Sequence, residues 1–137
     1  MREIKEYCTI RLHDTDAAGI LFFANQLKIV HDVYEQFMTR IDFPFRRRFE
    51  ERDFYLPIVH TEADFFQPLA VGDTVEIILK IEAVGNSSFT LAYTLTDLDG
   101  IVVGTARTVH VTVDPATWKK IPLPEAFRKA LVESVGD

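Results

Sequence analysis

Across residues 25–41 the apolar side chains recur at three- and four-residue steps, and from 58 to 113 they recur at every second residue. One helical period followed by a long run of strand periods restricts the fold more than any other feature. Leu27, Val30, Tyr34, Phe37, Met38 and Ile41 share one helical face, opposite Lys28, Asp32, Glu35, Gln36 and Arg40. That predicts an amphipathic helix of about four turns. Val75, Ile77, Leu79 and Ile81 alternate with polar residues, as do Phe89, Leu91, Tyr93 and Leu95, so each set predicts a strand with one buried face. Further strands are expected at 4–12 (Ile4, Cys8, Ile10 and Leu12 inward), at 58–66, and at about 101–113, where Val109, Val111 and Val113 share a face. Asp99-Gly100 signals a hairpin. Residues 42–56 read as an irregular connection with one short helix, and Pro122 and Pro124 frame the entry to a last helix through Leu131.

Short turns between consecutive strands make sequence neighbours antiparallel, and the single apolar-faced helix must cover one face of the sheet. The expected fold is α+β: a curved antiparallel sheet of about five strands wrapped around one long central helix. Its first and last strands would be open edges, which proteins usually pair or protect. The 137 residues suffice for one domain, 1–137, with a single core. A net charge of −6 argues against nucleic acid as a partner. Five of the nine arginines nevertheless lie within 40–52, which leaves room for a local anion site. The only cysteine, Cys8, excludes an intrachain disulfide and reads as a small buried hydrophobe. The start, MREIKEYCTI, lacks the apolar stretch of a secretion signal, and no run approaches the ~18 apolar residues of a membrane helix. A cytoplasmic chain without a membrane partner is expected.

The segment HDTDAAGILFFAN, residues 13–25, sets Asp14 and Asp16 beside Leu21, Phe22 and Phe23. It opens like a calcium loop, but Ala18 stands at the fifth position and Asn25 at the twelfth, where ligands belong. The four histidines fall in no zinc spacing, and GNSSF at 85–89 lacks the closing glycine of a nucleophile elbow. No metal and no cofactor are expected. Two readings of the acids stay open. One of them caps a helix beginning after Gly19. Alternatively, a poorly solvated carboxylate lies beside a helix N-terminus whose unpaired N–H groups stabilise an oxyanion, a minimal hydrolytic site.

DTDAAGILFFANQL resembles the signature of the hot-dog-fold acyl-CoA thioesterases of the 4-hydroxybenzoyl-CoA thioesterase type: D-x-D-x-x-G, an aromatic pair and an Asn. The long helix, PIVHTEADFFQPLAVGD, GNSSFTLAYTL, the DG hairpin and a strand ending in VTVD extend the resemblance along nearly the whole chain. It implies hydrolysis of an aromatic acyl-CoA to free acid and coenzyme A, the alternatives being a general short-chain or hydroxybenzoyl-type acyl-CoA thioesterase and a non-catalytic acyl-CoA-binding domain on the same fold. The catalytic carboxylate falls on Asp16, the oxyanion-binding backbone N–H on Phe23, and Asn25 matches the family Asn as a support of the loop. Asp14 would be a structural neighbour. Asn25, His60, Ser87 and Ser88 are implied at the substrate, with Arg46, Arg47 and Arg48 either holders of the coenzyme A phosphates or a solvated surface run. Many bacterial relatives carry His or Tyr where this chain has Phe23, and basic residues where it has 85–88. Within the family the sequence looks most like the cyanobacterial and plastid enzymes that hydrolyse 1,4-dihydroxy-2-naphthoyl-CoA on the route to phylloquinone. A homodimer joined edge to edge, or a homotetramer as a dimer of dimers, is implied, with the active site at the subunit boundary. A dehydratase on the same fold would need a His–acid pair, for which His13 and Asp14 are the candidates.

Overall fold

The structure, a computed structural model, describes residues 3–135. Strand β1 (Glu3–Thr9) leads through a single 3₁₀ turn (Leu12–Asp14) to helix α1 (Asn25–Arg40), followed by a short helix α2 (Phe45–Glu51). Strands β2 (Ile58–Phe65), β3 (Thr74–Val84), β4 (Ser88–Asp97) and β5 (Val102–Val111) and helix α3 (Glu125–Val135) complete the chain. The five strands form one antiparallel sheet in the order β1-β3-β4-β5-β2. Helix α1 buries Ile29, Val30, Val33, Tyr34, Phe37 and Met38 in the same core as Val75, Ile77, Leu79, Phe89, Leu91, Tyr93 and Leu95 from β3 and β4. Burial of each such side chain contributes roughly 1.5–3 kcal/mol. From α3, Phe127 closes the far end of this core, with its ring 5.0 Å from Phe43, 5.3 Å from Phe54 and 5.5 Å from Phe89. Among the described residues no helix is long and apolar enough to cross a membrane.

Three expectations are corrected. Strand β2 does not lie beside β3; it crosses the sheet to pair with β5, from Ile58 opposite His110 to Phe65 opposite Gly104. The open edges are therefore β1 and β2, and β5 is interior. The 66–73 connection is no hairpin: Ala70 bridges Ile20, and the Leu69 carbonyl accepts the Leu21 N–H at 2.7 Å. Second, the inward face of β5 carries Ala106, Thr108 and His110, the cross-strand partners of Tyr93, Leu91 and Phe89, so Val109 faces out. Polar side chains turn inward here because they satisfy one another: Thr108 Oγ1 lies 3.1 Å from Tyr93 Oη and 2.7 Å from His110 Nε2. Third, Leu12 sits in the 3₁₀ turn, not on the inner face of β1, and is 77% exposed.

Candidate active site

Neither acid caps α1. Its N-cap is Ala24, in helical conformation, and the helix begins six residues beyond Gly19. Asp14, which is buried, instead closes the 3₁₀ turn, its Oδ2 accepting the Arg11 N–H at 2.8 Å. His13 is largely exposed, with Nε2 3.9 Å from Asp14 Oδ1. Asp16 heads the next turn. Its carbonyl accepts the Gly19 N–H at 3.0 Å and its Oδ1 the Ala18 N–H at 2.9 Å, an Asx-type turn. Gly19 lies at φ +78°, where a side chain would be strained.

The loop from Asp14 to Asn25 is pinned from both sides. The Asp14 carbonyl accepts the Phe22 N–H and the Asn25 side-chain amide, both at 2.9 Å, while Leu21 is tied to Leu69. Asn25 thus spends its donor on the loop. This holds Phe23 just ahead of α1, where its own N–H has no acceptor among the described residues. An unpaired donor at a helix N-terminus, backed by the positive end of the dipole, is suited to an oxyanion. A cleft of about 420 Å³ brings Asp16 together with Ile20, Leu21, Phe23, Gln26 and Phe65. The Phe23 ring stands edge-on to Phe65 at 6.4 Å. Asp16 is the only charged side chain of the lining. Contrary to expectation it is not shielded: Asp16 is exposed, and so are Phe22 (41%), Phe23 (63%), Phe65 (50%) and Phe66 (58%).

The other predicted site residues lie elsewhere in the chain. His60 pairs with Val109 on the outer sheet face and lies 3.6 Å from Glu62, away from the cleft. Ser87 lies in the β3–β4 turn and Ser88 begins β4, at the opposite end of β3 from Thr74, roughly 35 Å along the strand from the cleft end. Arg48 is not free to meet a phosphate. It is buried, with Nη1 2.8 Å from Asp53 and Nη2 3.1 Å from Glu51, and it packs over the Phe43 and Phe54 rings at 5.1 and 4.7 Å. Arg47 pairs with Asp42 at 3.0 Å, and Arg46 is exposed. Cys8 is half-buried, and burial, followed by the charge of Asp14, pushes its thiol up, away from a nucleophile's range. Sequence reasoning missed Gln26. The signal was available, as a polar residue on the apolar stripe that continues through Ile29, Val30 and Val33.

A sequence profile described as the Thioesterase-like superfamily matches residues 10–131. A 1,4-dihydroxy-2-naphthoyl-CoA hydrolase of Rippkaea orientalis is 36% identical over 125 residues, which cover 90% of this chain and 91% of that one. One from Synechococcus elongatus is 39% identical over 120 residues, covering 87% and 88%. Among solved structures, a 1,4-dihydroxy-2-naphthoyl-CoA thioesterase from Synechocystis superimposes with a TM-score of 0.89 at 28% identity, covering 96% of each chain.

Proposed function

The chain belongs to the Thioesterase-like superfamily, and on that footing we propose that it hydrolyses 1,4-dihydroxy-2-naphthoyl-CoA to the free acid and coenzyme A, a step toward phylloquinone. The observation that carries the chemistry is the pairing of the Asp16 carboxylate with the unsatisfied Phe23 N–H across one apolar cleft. In this reading the thioester carbonyl oxygen accepts the Phe23 N–H. Asp16 attacks the carbonyl carbon, or takes a proton from the water that does; the C–S electrons leave with coenzyme A as its thiolate. Only one Asp16 oxygen is engaged by the turn, so the other is open to this role. The acyl specificity is supported by the names of relatives at 36–39% identity. Hydrolysis rates with 1,4-dihydroxy-2-naphthoyl-, 4-hydroxybenzoyl-, phenylacetyl- and short aliphatic CoA esters test it. A strong preference for the naphthoyl ester is expected; a flat profile removes the narrow substrate, and no hydrolysis of any ester removes the enzyme.

The active unit is a homodimer paired through β2. Support comes from that edge strand, which leaves Ile58, Val59 and Phe65 between 38% and 57% exposed, an aggregation hazard unless covered. Antiparallel β2–β2 pairing about a twofold axis would bring Ile58 of the partner subunit beside Phe65. The β3–β4 turn travels with it, because Ser88 pairs with Val111 next to the start of β2. The second copy would thereby wall the exposed cleft and carry Ser87 and Ser88 toward coenzyme A, and the dehydration missing around Asp16 would arrive with it. Val59→Lys is expected to yield a monomer with activity lost in parallel, read by light scattering on a sizing column. An unaltered chain that is monomeric at micromolar concentration would overturn the dimer.

A further inference from the structure

We propose that Gln26 selects the acyl group by accepting a hydrogen bond from the ring hydroxyl at C4, meta to the thioester, an inference that rests on the thioesterase reading above. Three polar side chains line the cleft: Asp16 and Gln67 are exposed, whereas Gln26 is only 2% exposed. Its Nε2 donates to the Asp64 carbonyl at 3.1 Å and the Thr105 carbonyl at 2.9 Å, tying the first turn of α1 to both β2 and β5. Both amide hydrogens are spent, so the orientation is fixed: turned over, the amide would set oxygen against two carbonyls. Oε1 is left without a donor among the described residues. The sheet makes room for this one group. A Cβ on Gly104 would stand 2.9 Å from both amide heteroatoms and 3.0 Å from the Asp64 carbonyl.

Oε1 is thus an acceptor held in place at the cleft with no protein donor among the described residues, and the arrangement suits a ligand that supplies one. The thioester has none. The pantetheine amides lie beyond the sulfur; with the carbonyl held between Asp16 and Phe23, which are exposed, the acyl group would be the part that reaches the buried Gln26. In a 1,4-dihydroxy-2-naphthoyl ester the ortho hydroxyl closes a six-membered ring onto the thioester carbonyl. The C4 hydroxyl, meta to the thioester, is the donor that remains free.

The test compares kcat/KM for 1,4-dihydroxy-2-naphthoyl-CoA and 1-hydroxy-2-naphthoyl-CoA in the unaltered protein, in Gln26→Met and in Gly104→Ala, which displaces the amide while keeping it. The unaltered protein is expected to favour the dihydroxy ester by at least about 30-fold. Both variants should bring the ratio to within about threefold of unity, because the dihydroxy ester alone loses the bond. A ratio near one in the unaltered protein overturns the inference without recourse to any variant, as does a ratio that survives Gln26→Met. Hydrolysis of neither ester by the unaltered protein overturns the naphthoyl-CoA reading on which the inference rests, a separate result.

Discussion

Asp16→Asn is expected to cut turnover by about 10³-fold while acyl-CoA binding stays within a few-fold of the parent. The substitution is informative because the local structure tolerates it. The Asx turn needs one acceptor from residue 16, which the Asn side-chain oxygen still supplies to the Ala18 N–H. Gly19 and the pins to Leu69 and Asn25 are untouched, so the thermal midpoint should move little. What disappears is the second carboxylate oxygen, the only ionisable atom in the cleft. The Phe23 N–H would still hold the carbonyl, so binding persists and the loss appears in kcat. Turnover unchanged in the Asn variant ends the assignment of Asp16. Single turnover in heavy-oxygen water then separates two routes: label in the Asp16 carboxylate marks an anhydride, and label confined to the product acid marks attack by water.

The parts of the fold legible in the sequence were those whose burial is decided by local period. Helix α1 and strands β3 and β4 follow their apolar repeats closely. The neighbour of β2 was not legible, because a long-range pairing chose it: β2 meets β5 across the sheet instead of β3 across a turn. The phase of β5 was misread for a related reason. Valine counting favours Val109, Val111 and Val113, but Thr108 and His110 go inward as a mutually bonded pair that no hydropathy scale credits. At the site, Asp16 and Phe23 of the motif line one cleft, while the shielding expected of Asp16 is absent from the chain, where Asp16 is exposed. Counted without partners, the run of three arginines reads equally as an anion site or a solvated surface run. Arg48 is consumed by Asp53, Glu51 and two aromatic rings. Gln26 is missed because the apolar stripe read from the sequence starts at Leu27, whereas the buried face runs through Gln26, Ile29, Val30 and Val33.

The inward turn of His110 has a consequence for acid stability. Its ring stacks on Phe89 at 4.7 Å and 4°, packs against Tyr34 at 4.4 Å, and shares Thr108 with Tyr93. Nδ1 has no partner among the described residues, so an imidazolium would bury a second N–H with no acceptor there. Burial first, and the charge of nearby His31 second, lower the histidine's pKa from 6.5 to about 3. Tyr34 and Tyr93, the other titratable groups facing the ring, have pKa values raised by burial and stay neutral in acid. The folded state therefore holds His110 neutral, whereas the unfolded chain protonates it below about 6.5. Its contribution is complete above that pH and is lost as pH falls, at about 1.4 kcal/mol per unit until the folded pKa is reached. Against a domain stability of ~5–15 kcal/mol, a loss of a few kcal/mol makes His110 a principal site of acid unfolding. His110→Phe keeps the stack on Phe89 and leaves Thr108 bonded to Tyr93, so it removes the proton and little else. Urea unfolding from pH 7 to 4 at one protein concentration should give a shallower stability curve for the variant, by about one proton's slope. Parallel curves for variant and parent would show that the buried imidazole is not where acid acts.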